Sequence, residues 1–260
     1  MVIRRIREHV IHHNWFAVAI DLAIVIVGVF IGTQANNWNQ NRIERARGHA
    51  YRERLAADLA ANQDDYAARR SYEEVVRAHA LAALDAVERP AGPDDGQFLI
   101  DLYQASQINP RHTLRSTYDE IVSVGALEAV GDAALRQTLA NFYISVATTS
   151  VTFDNVPPYR EHVRSAMPYP VQRNVVARCP ETISYAFNTA AVLDLAKTCS
   201  LDLPPAEIAA AAAKMRSEPK LVDELTRLAV DLDSKIRIYT IAAKRVAKTR
   251  QAVLAVETNR

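Results

Sequence analysis

An apolar run near the start of the chain constrains the fold more than any other sequence feature. It covers Trp15 to Thr33 and reads WFAVAIDLAIVIVGVFIGT, with Asp21 as its one charged residue. A helix needs about 20 predominantly apolar residues to cross the hydrocarbon core of a bilayer. A buried helix of a water-soluble protein is not normally apolar on every side over this length. The run therefore predicts a transmembrane helix over residues 15–35.

Two tryptophans bracket this predicted span. Trp15 and Trp38 stand where amphipathic indole rings favour the two membrane–water interfaces. A cleaved signal peptide is the main alternative, because the start is basic and Thr33-Gln34-Ala35 fits a small-x-small cleavage site. The apolar region is longer than a usual signal-peptide core and contains an acid, which favours an uncleaved anchor.

The charges that flank the span bear on its orientation. Arginines at positions 4, 5 and 7 favour a cytoplasmic tail over residues 1–14. Five further arginines between residues 42 and 54 favour the opposite orientation. These five begin a long domain, where the positive-inside rule loses force. We therefore predict that the N-terminus is cytoplasmic.

The cysteine content supports the same orientation. The chain has two cysteines, Cys179 and Cys199. Such a pair fits a disulfide in an oxidising compartment, and two unrelated buried thiols are the alternative. We predict a single-pass protein of the bacterial inner membrane, with residues 36–260 forming a periplasmic domain.

The composition beyond the span predicts an all-α fold. Glycine occurs 7 times and aromatic residues make up 7% of the chain, while Ala-rich, Arg-rich and Glu-rich runs favour helices over sheet. Apolar residues at spacings of three and four predict one helix that ends near Arg89-Pro90 and a final helix over Leu225 to Val253. Two long terminal helices suggest that the transmembrane helix continues into an elongated antiparallel bundle.

Shorter elements are predicted between these two helices. Asp94 or Asp95 is expected to cap a helix that reaches Ser106. Ser116, followed by Asp119 three residues later, fits a capping box that opens another helix. Residues 157–205 are rich in proline, and we interpret them as an irregular excursion that contains one short helix near Ile183 to Ala196.

Within the span, one helix face combines an acid with small residues. Asp21, Gly28, Gly32 and Ala35 share this face, and Gly28-x-x-x-Gly32 is a spacing that permits close helix contact. An ionised carboxylate inside hydrocarbon costs about 2.5–3.5 kcal/mol, so such residues usually face a partner or water. We predict that the face docks another transmembrane helix or a second copy. The alternative is that Asp21 lies near the interface and reaches the headgroups, or is protonated.

Two ordered motifs mark the first part of the chain. Residues 34–42 read QANNWNQNR after the acid of the span, and residues 117–127 read TYDEIVSVGAL ahead of Leu135-Arg136 and Phe142-Tyr143. They resemble the LQxNNWNExR exit and the YxELxSxG…LRxxLxxYY segment of an uncharacterised family of single-span bacterial membrane proteins, a domain of unknown function. Since that family has no known activity, the resemblance implies topology alone.

The sequence carries no recognisable catalytic pattern. His112, Ser116 and Asp119 are close in sequence, but the last two already fit a helix cap. Histidines 9, 12 and 13 suit a membrane-surface tail better than a metal site. We predict no catalytic residues, no metal and no cofactor.

These observations favour a non-enzymatic module that contacts lipid and binds other proteins. The formal net charge of +1 argues against nucleic acid as a partner. The leading prediction is an accessory or scaffold subunit of a membrane complex. The alternative is a ligand-binding, sensor-like helical bundle that acts through a partner, and an enzyme comes third.

Overall fold

The protein is described from a computed structural model, which covers residues 15–89, 94–184, 192–196 and 199–258. About 81% of it is helical, so the all-α prediction is confirmed. In chain order the elements are α1 (Trp15–Glu88), α2 (Asp95–Ala105), α3 (Ser116–Ser123), α4 (Leu127–Val130), α5 (Ala133–Phe153), α6 (Pro158–Ala166), α7 (Tyr169–Arg178), β1 (Thr182–Ser184), β2 (Val192–Asp194), α8 (Pro205–Arg216) and α9 (Leu221–Thr258).

The chain divides into two compact units, residues 1–51 and residues 52–260. Helix α1 contributes its beginning to the first unit and its remainder to the second. The predicted span, residues 15–35, is helical. Among the residues that the structure describes, no helix combines the length and the apolar character needed to cross a membrane. The membrane-spanning role of this segment therefore stays a prediction.

Helix α2 lies at the centre of the core of the second unit. Its sequence DGQFLIDLYQA is apolar on most sides, and all residues from Phe98 to Ala105 are buried. The helix packs against α6, α7 and α8, and its apolar residues join the same core cluster as residues of α1 and α9. The predicted start is confirmed, because the Asp94 carboxylate caps the helix by accepting from the Gly96 N–H at 2.8 Å.

Helices α1 and α9 run antiparallel along the second unit. The ring centroids of Tyr66 and Tyr239 lie 6.3 Å apart. Further along α1, Arg77 Nε lies 2.5 Å from the carboxylate of Asp233, which is earlier in α9. The two helices therefore run in opposite directions, as the prediction of an antiparallel bundle requires.

The predicted irregular excursion over residues 157–205 contains more regular structure than expected. Helices α6 and α7 lie within it, and α8 begins at its end. Most of the prolines that suggested irregular chain stand instead at helix starts, with Pro158 in the first turn of α6 and Pro170 in that of α7. Proline is tolerated there because the N–H it lacks has no partner within the helix.

The short helix predicted near Ile183 to Ala196 is wrong. This stretch contains strands β1 and β2, which pair antiparallel with Thr182 opposite Asp194 and Ile183 opposite Leu193. The flanking cysteines explain the difference, since their Cα atoms lie 5.5 Å apart. A helix of 14 residues would carry the chain about 21 Å away, whereas a hairpin returns it to its starting point.

The capping box predicted at Ser116 is also wrong. Ser116 is the first residue of α3, and the preceding Arg115 is the cap, without a side-chain capping bond. Asp119 instead accepts three hydrogen bonds of 2.7–3.0 Å from the Arg115 guanidinium. These bonds lower the pKa of Asp119. The carboxylate thus holds the residue before the helix by an ion pair, and not by the reciprocal pattern of a capping box.

Candidate functional site

The predicted docking face of α1 is open in the structure. A Cβ atom added at Gly28 or Gly32 would meet no described atom within 4 Å, and Ala35 is exposed. The side chains of Trp15 and Asp21, and the histidines of the tail, lie outside the described residues. The small-residue part of the face is therefore accessible to a partner helix.

Around this face, the described apolar side chains are exposed together. From Ile20 to Ile31 the large apolar residues have 44–63% of their surface exposed. Trp38 is 68% exposed, and the Arg42 guanidinium lies over its ring at 5.9 Å. An indole next to a cation at the end of an apolar segment is typical of a membrane interface.

In the second unit, one face of α1 holds the loop before α3. Asn62, Tyr66 and Arg69 are spaced four and three residues apart and so lie on the same helix face. Asn62 donates to the Leu114 carbonyl at 2.8 Å and accepts from the Leu114 N–H at 2.7 Å. The Tyr66 hydroxyl lies 2.7 Å from that of Thr113. These contacts fix the loop side chains relative to α1.

Arg69 is the most deeply buried charge of this face, at 2% exposure. It forms an ion pair with Asp65 and donates to the Arg111 carbonyl at 2.8 Å. Arg111 Nη1 in turn lies 3.1 Å from the Asp65 carboxylate. One carboxylate therefore holds two guanidinium groups, and all three charges depend on each other because a buried charge without a partner is costly.

A cleft of about 220 Å³ opens beside this network. Its walls come from the loop before α3, from α1 and from the second half of α5. Phe153, which lines it, stacks on Tyr239 with ring centroids 4.2 Å apart. The lining residues are Arg69, Arg111, His112, Thr113, Arg115, Val146, Ala147, Ser150, Phe153 and Asp154.

The two segments that carry the family resemblance in the second unit meet in space. Tyr118 of α3 stacks on Tyr143 of α5, with ring centroids 4.1 Å apart and planes inclined by 16°. Between the segments, Gly125 has a φ of 67° and ends α3. The Ala126 N–H donates to the Ile121 carbonyl at 2.9 Å, as in a Schellman motif. The requirement for a positive φ at this helix end explains the glycine. This arrangement accounts for the pattern without implying catalysis.

The predicted cysteine pair is found at disulfide distance. Cys179 follows α7 directly and is buried, and its sulfur lies 2.05 Å from that of Cys199. The Cys179 carbonyl also accepts from the buried Gln104 side chain at 3.1 Å. The bridge thus connects the β-hairpin segment to the core around α2.

An additional cluster, missed at the sequence level, connects α6 to the start of α9. His162 Nδ1 lies 2.6 Å from Glu224, and its Nε2 lies 3.3 Å from Glu218. Partial burial alone would lower the pKa of His162, but the hydrogen bonds and charges of the two carboxylates outweigh it and raise that pKa. Histidine and glutamate 56 and 62 residues apart give no signal in the sequence.

This cluster predicts a pH-dependent stability. Because the pKa of His162 is raised in the folded state, its stabilising effect is complete below the unfolded value of about 6.5 and is lost as pH rises through the folded pKa. We expect the wild-type Tm to exceed that of His162→Gln by a few degrees at pH 6, with the difference shrinking toward pH 9. Thermal unfolding across this range measures it. The exposed His112 provides a control, since His112→Gln should follow the wild type, and a difference for His162→Gln that grew with pH would contradict the assignment.

Comparison of the chain with protein-family models, with curated proteins and with solved structures finds no match.

Proposed function

We propose that this chain is a membrane-anchored helical module that binds another membrane protein, as an accessory or scaffold subunit of a complex. In this proposal residues 15–35 cross the bacterial inner membrane. Residues 1–14 are cytoplasmic, and the helical bundle lies in the periplasm. The observation that carries the proposal is the continuous exposure of the apolar residues from Ile20 to Ile31.

The exposed apolar segment needs an apolar environment. Burying one Val, Leu, Ile or Phe side chain contributes about 1.5–3 kcal/mol relative to leaving it in water. Contiguous apolar surface of this extent is a mark of contact with a membrane or another protein. The sequence extends the run backward to Trp15, which gives it the length that a bilayer requires. A lipid environment is therefore the explanation we favour.

Within the bilayer, the Asp21 face provides the contact for a partner. No basic residue lies between Trp15 and Ala35 to neutralise this acid. A second helix packed against Gly28 and Gly32 could approach closely, and a hydrogen-bond donor on it would satisfy the carboxyl group. The partner is either another transmembrane protein or a second copy of this chain.

The cysteines support the proposed compartment. A cysteine pair at bonding distance suits an oxidising environment, because thiols are kept reduced in the cytoplasm. This supports a periplasmic location for the bundle.

A second candidate function is a sensor-like bundle that binds a small ligand and acts through the same partner. The cleft beside Arg111 and Arg115 is the observation that favours it. The two functions are compatible, because the docking face and the cleft are formed by different residues.

Substitutions on two opposite faces of the transmembrane helix test the docking face. We expect Asp21→Leu and Gly28→Leu each to reduce a co-purified partner, or the self-associated form, by at least tenfold in mild detergent. Ala23→Leu is the matched control, because it enlarges a small exposed residue about 200° around the helix from Asp21. Mass spectrometry and native-gel mobility of protein purified from its own membrane measure the outcome. Unchanged association in both test variants would reject this face as the contact.

A further inference from the structure

The cleft beside the loop before α3 has charges of both signs at its walls. Arg69, Arg111 and Arg115 supply three positive charges, and Asp154 supplies a negative one. Asp65 is paired with the first two arginines and Asp119 with the third. Three guanidinium groups are thus balanced by three carboxylates, and the site has no net charge when His112 is neutral. Such a balance disfavours a simple anion and suits a ligand that itself carries both charges.

The positive side of the cleft retains donors for a carboxylate. Arg115 contacts Asp119 through Nε and Nη2, which leaves Nη1 for a further acceptor among the described contacts. Guanidinium groups bind carboxylates strongly because both are planar and charge-assisted hydrogen bonds form in pairs. The hydroxyls of Thr113 and Ser150 line the same cleft and can supplement them. Asp154, which is exposed at the end of α5, can accept from an ammonium group.

The remaining wall is apolar. Val146, Ala147 and Phe153 contribute it from successive turns of α5. Phe153 is held in place by its stack on Tyr239, so this surface is formed before any ligand arrives. The volume of about 220 Å³ is below that of pockets for drug-sized ligands, about 300–1,000 Å³, so the cleft suits a small molecule.

We propose that this cleft binds a free α-amino acid with an apolar side chain. The carboxylate faces Arg111 and Arg115, the ammonium group faces Asp154, and the side chain lies against Val146 and Phe153. Binding of an amino acid in this cleft does not depend on the membrane anchor. A negative result for the cleft therefore does not affect the anchor, and a negative result for the anchor does not affect the cleft.

Thermal unfolding of the full chain in mild detergent tests the proposal. L-valine, L-leucine and L-phenylalanine are added separately, and binding is then measured by titration calorimetry. We expect at least one of them to raise the Tm by about 5 °C when present at about 100 times its Kd. Removing the charge of either rim residue, by Arg115→Gln or Asp154→Asn, should weaken binding at least about tenfold. Both residues are exposed, so these variants are expected to fold normally.

A cavity-filling variant with a matched control locates the site. Ala147→Leu places a larger side chain in the cleft, while Ala134→Leu makes the same change at another exposed position of α5. Loss of binding in the first alone is expected. No stabilisation by any of the three amino acids at millimolar concentration would overturn the proposal, as would equal binding in both alanine variants. Binding of 4-methylpentanoate, which lacks the ammonium group, as tightly as L-leucine would also overturn it and indicate a simple carboxylate site.

Discussion

Replacing Arg69 by methionine is expected to lower the free energy of unfolding by about 3–5 kcal/mol, the range seen when one partner of a buried ion pair is removed. Arg69 is 2% exposed and holds both the Asp65 carboxylate and the Arg111 carbonyl. Methionine fills similar space but donates no hydrogen bond. The substitution therefore leaves the carbonyl unpaired and the carboxylate with Arg111 as its remaining cation.

The next residue of the same helix provides the control for this prediction. Arg70 has a side chain that is 45% exposed and pairs with Glu74 at 3.3 Å on the surface. Exposed pairs of this kind contribute about 0–1 kcal/mol, so Arg70→Met should change stability little. Urea unfolding of the full chain in mild detergent measures both variants. Equal losses of stability at positions 69 and 70 would show that burial of the Arg69 network does not increase its contribution to the free energy of unfolding.

Removing the cysteine pair is expected to have the second largest effect. A bridge that closes a loop of 20 residues restricts the unfolded chain and contributes about 3 kcal/mol by loop-closure entropy. Cys179→Ala/Cys199→Ala should therefore unfold at distinctly lower temperature than the wild type. The segment between the cysteines includes β1 and β2, which form a small two-stranded sheet that relies on this closure.

Chemical reduction supplies the internal control for the cysteine prediction. A reductant should lower the Tm of the wild type toward that of the double variant and leave the double variant unchanged. If the reductant destabilised both proteins equally, or neither, the pair would not be bridged in the purified protein.

The positions of the long helices could be predicted because their buried residues follow a regular pattern. In α1 the buried positions Leu55, Leu59, Tyr66, Val76 and Ala80 fit spacings of three and four residues, and α9 repeats the pattern. The strong break after Arg89 and the cap at Asp94 have equally local causes. Local chemistry sufficed where an element is specified by its own residues.

The buried polar face of α1 could not be predicted in the same way. Asn62, Arg69 and Glu73 occupy core positions of the same repeat, where polar residues break the apolar pattern. Asn62 donates to the Leu114 carbonyl and Arg69 to the Arg111 carbonyl, 52 and 42 residues away, and local sequence patterns do not predict these pairings. A polar residue at a core position was nevertheless a signal, and it could have directed attention to this face.

The connections between the helices could not be predicted for a different reason. The prolines of residues 157–205 predict irregular chain, although proline in a first turn, as at Pro158 and Pro170, is compatible with a helix start. The hairpin over β1 and β2 depends on closure by Cys179 and Cys199, which lie outside its own residues. Elements that depend on contacts between residues distant in sequence cannot be predicted from local sequence patterns.

The central claim, that residues 15–35 anchor the chain with its bundle outside the cytoplasm, is tested most directly by a C-terminal alkaline-phosphatase fusion. The enzyme is active outside the cytoplasm, so activity reports the side of the membrane on which the C-terminus lies. We expect activity, and we expect it to remain with the membranes after washing at alkaline pH. A silent fusion, beside an active cytoplasmic reporter at the same position, would contradict the orientation. Activity released by the wash would contradict the anchor and indicate a cleaved signal peptide.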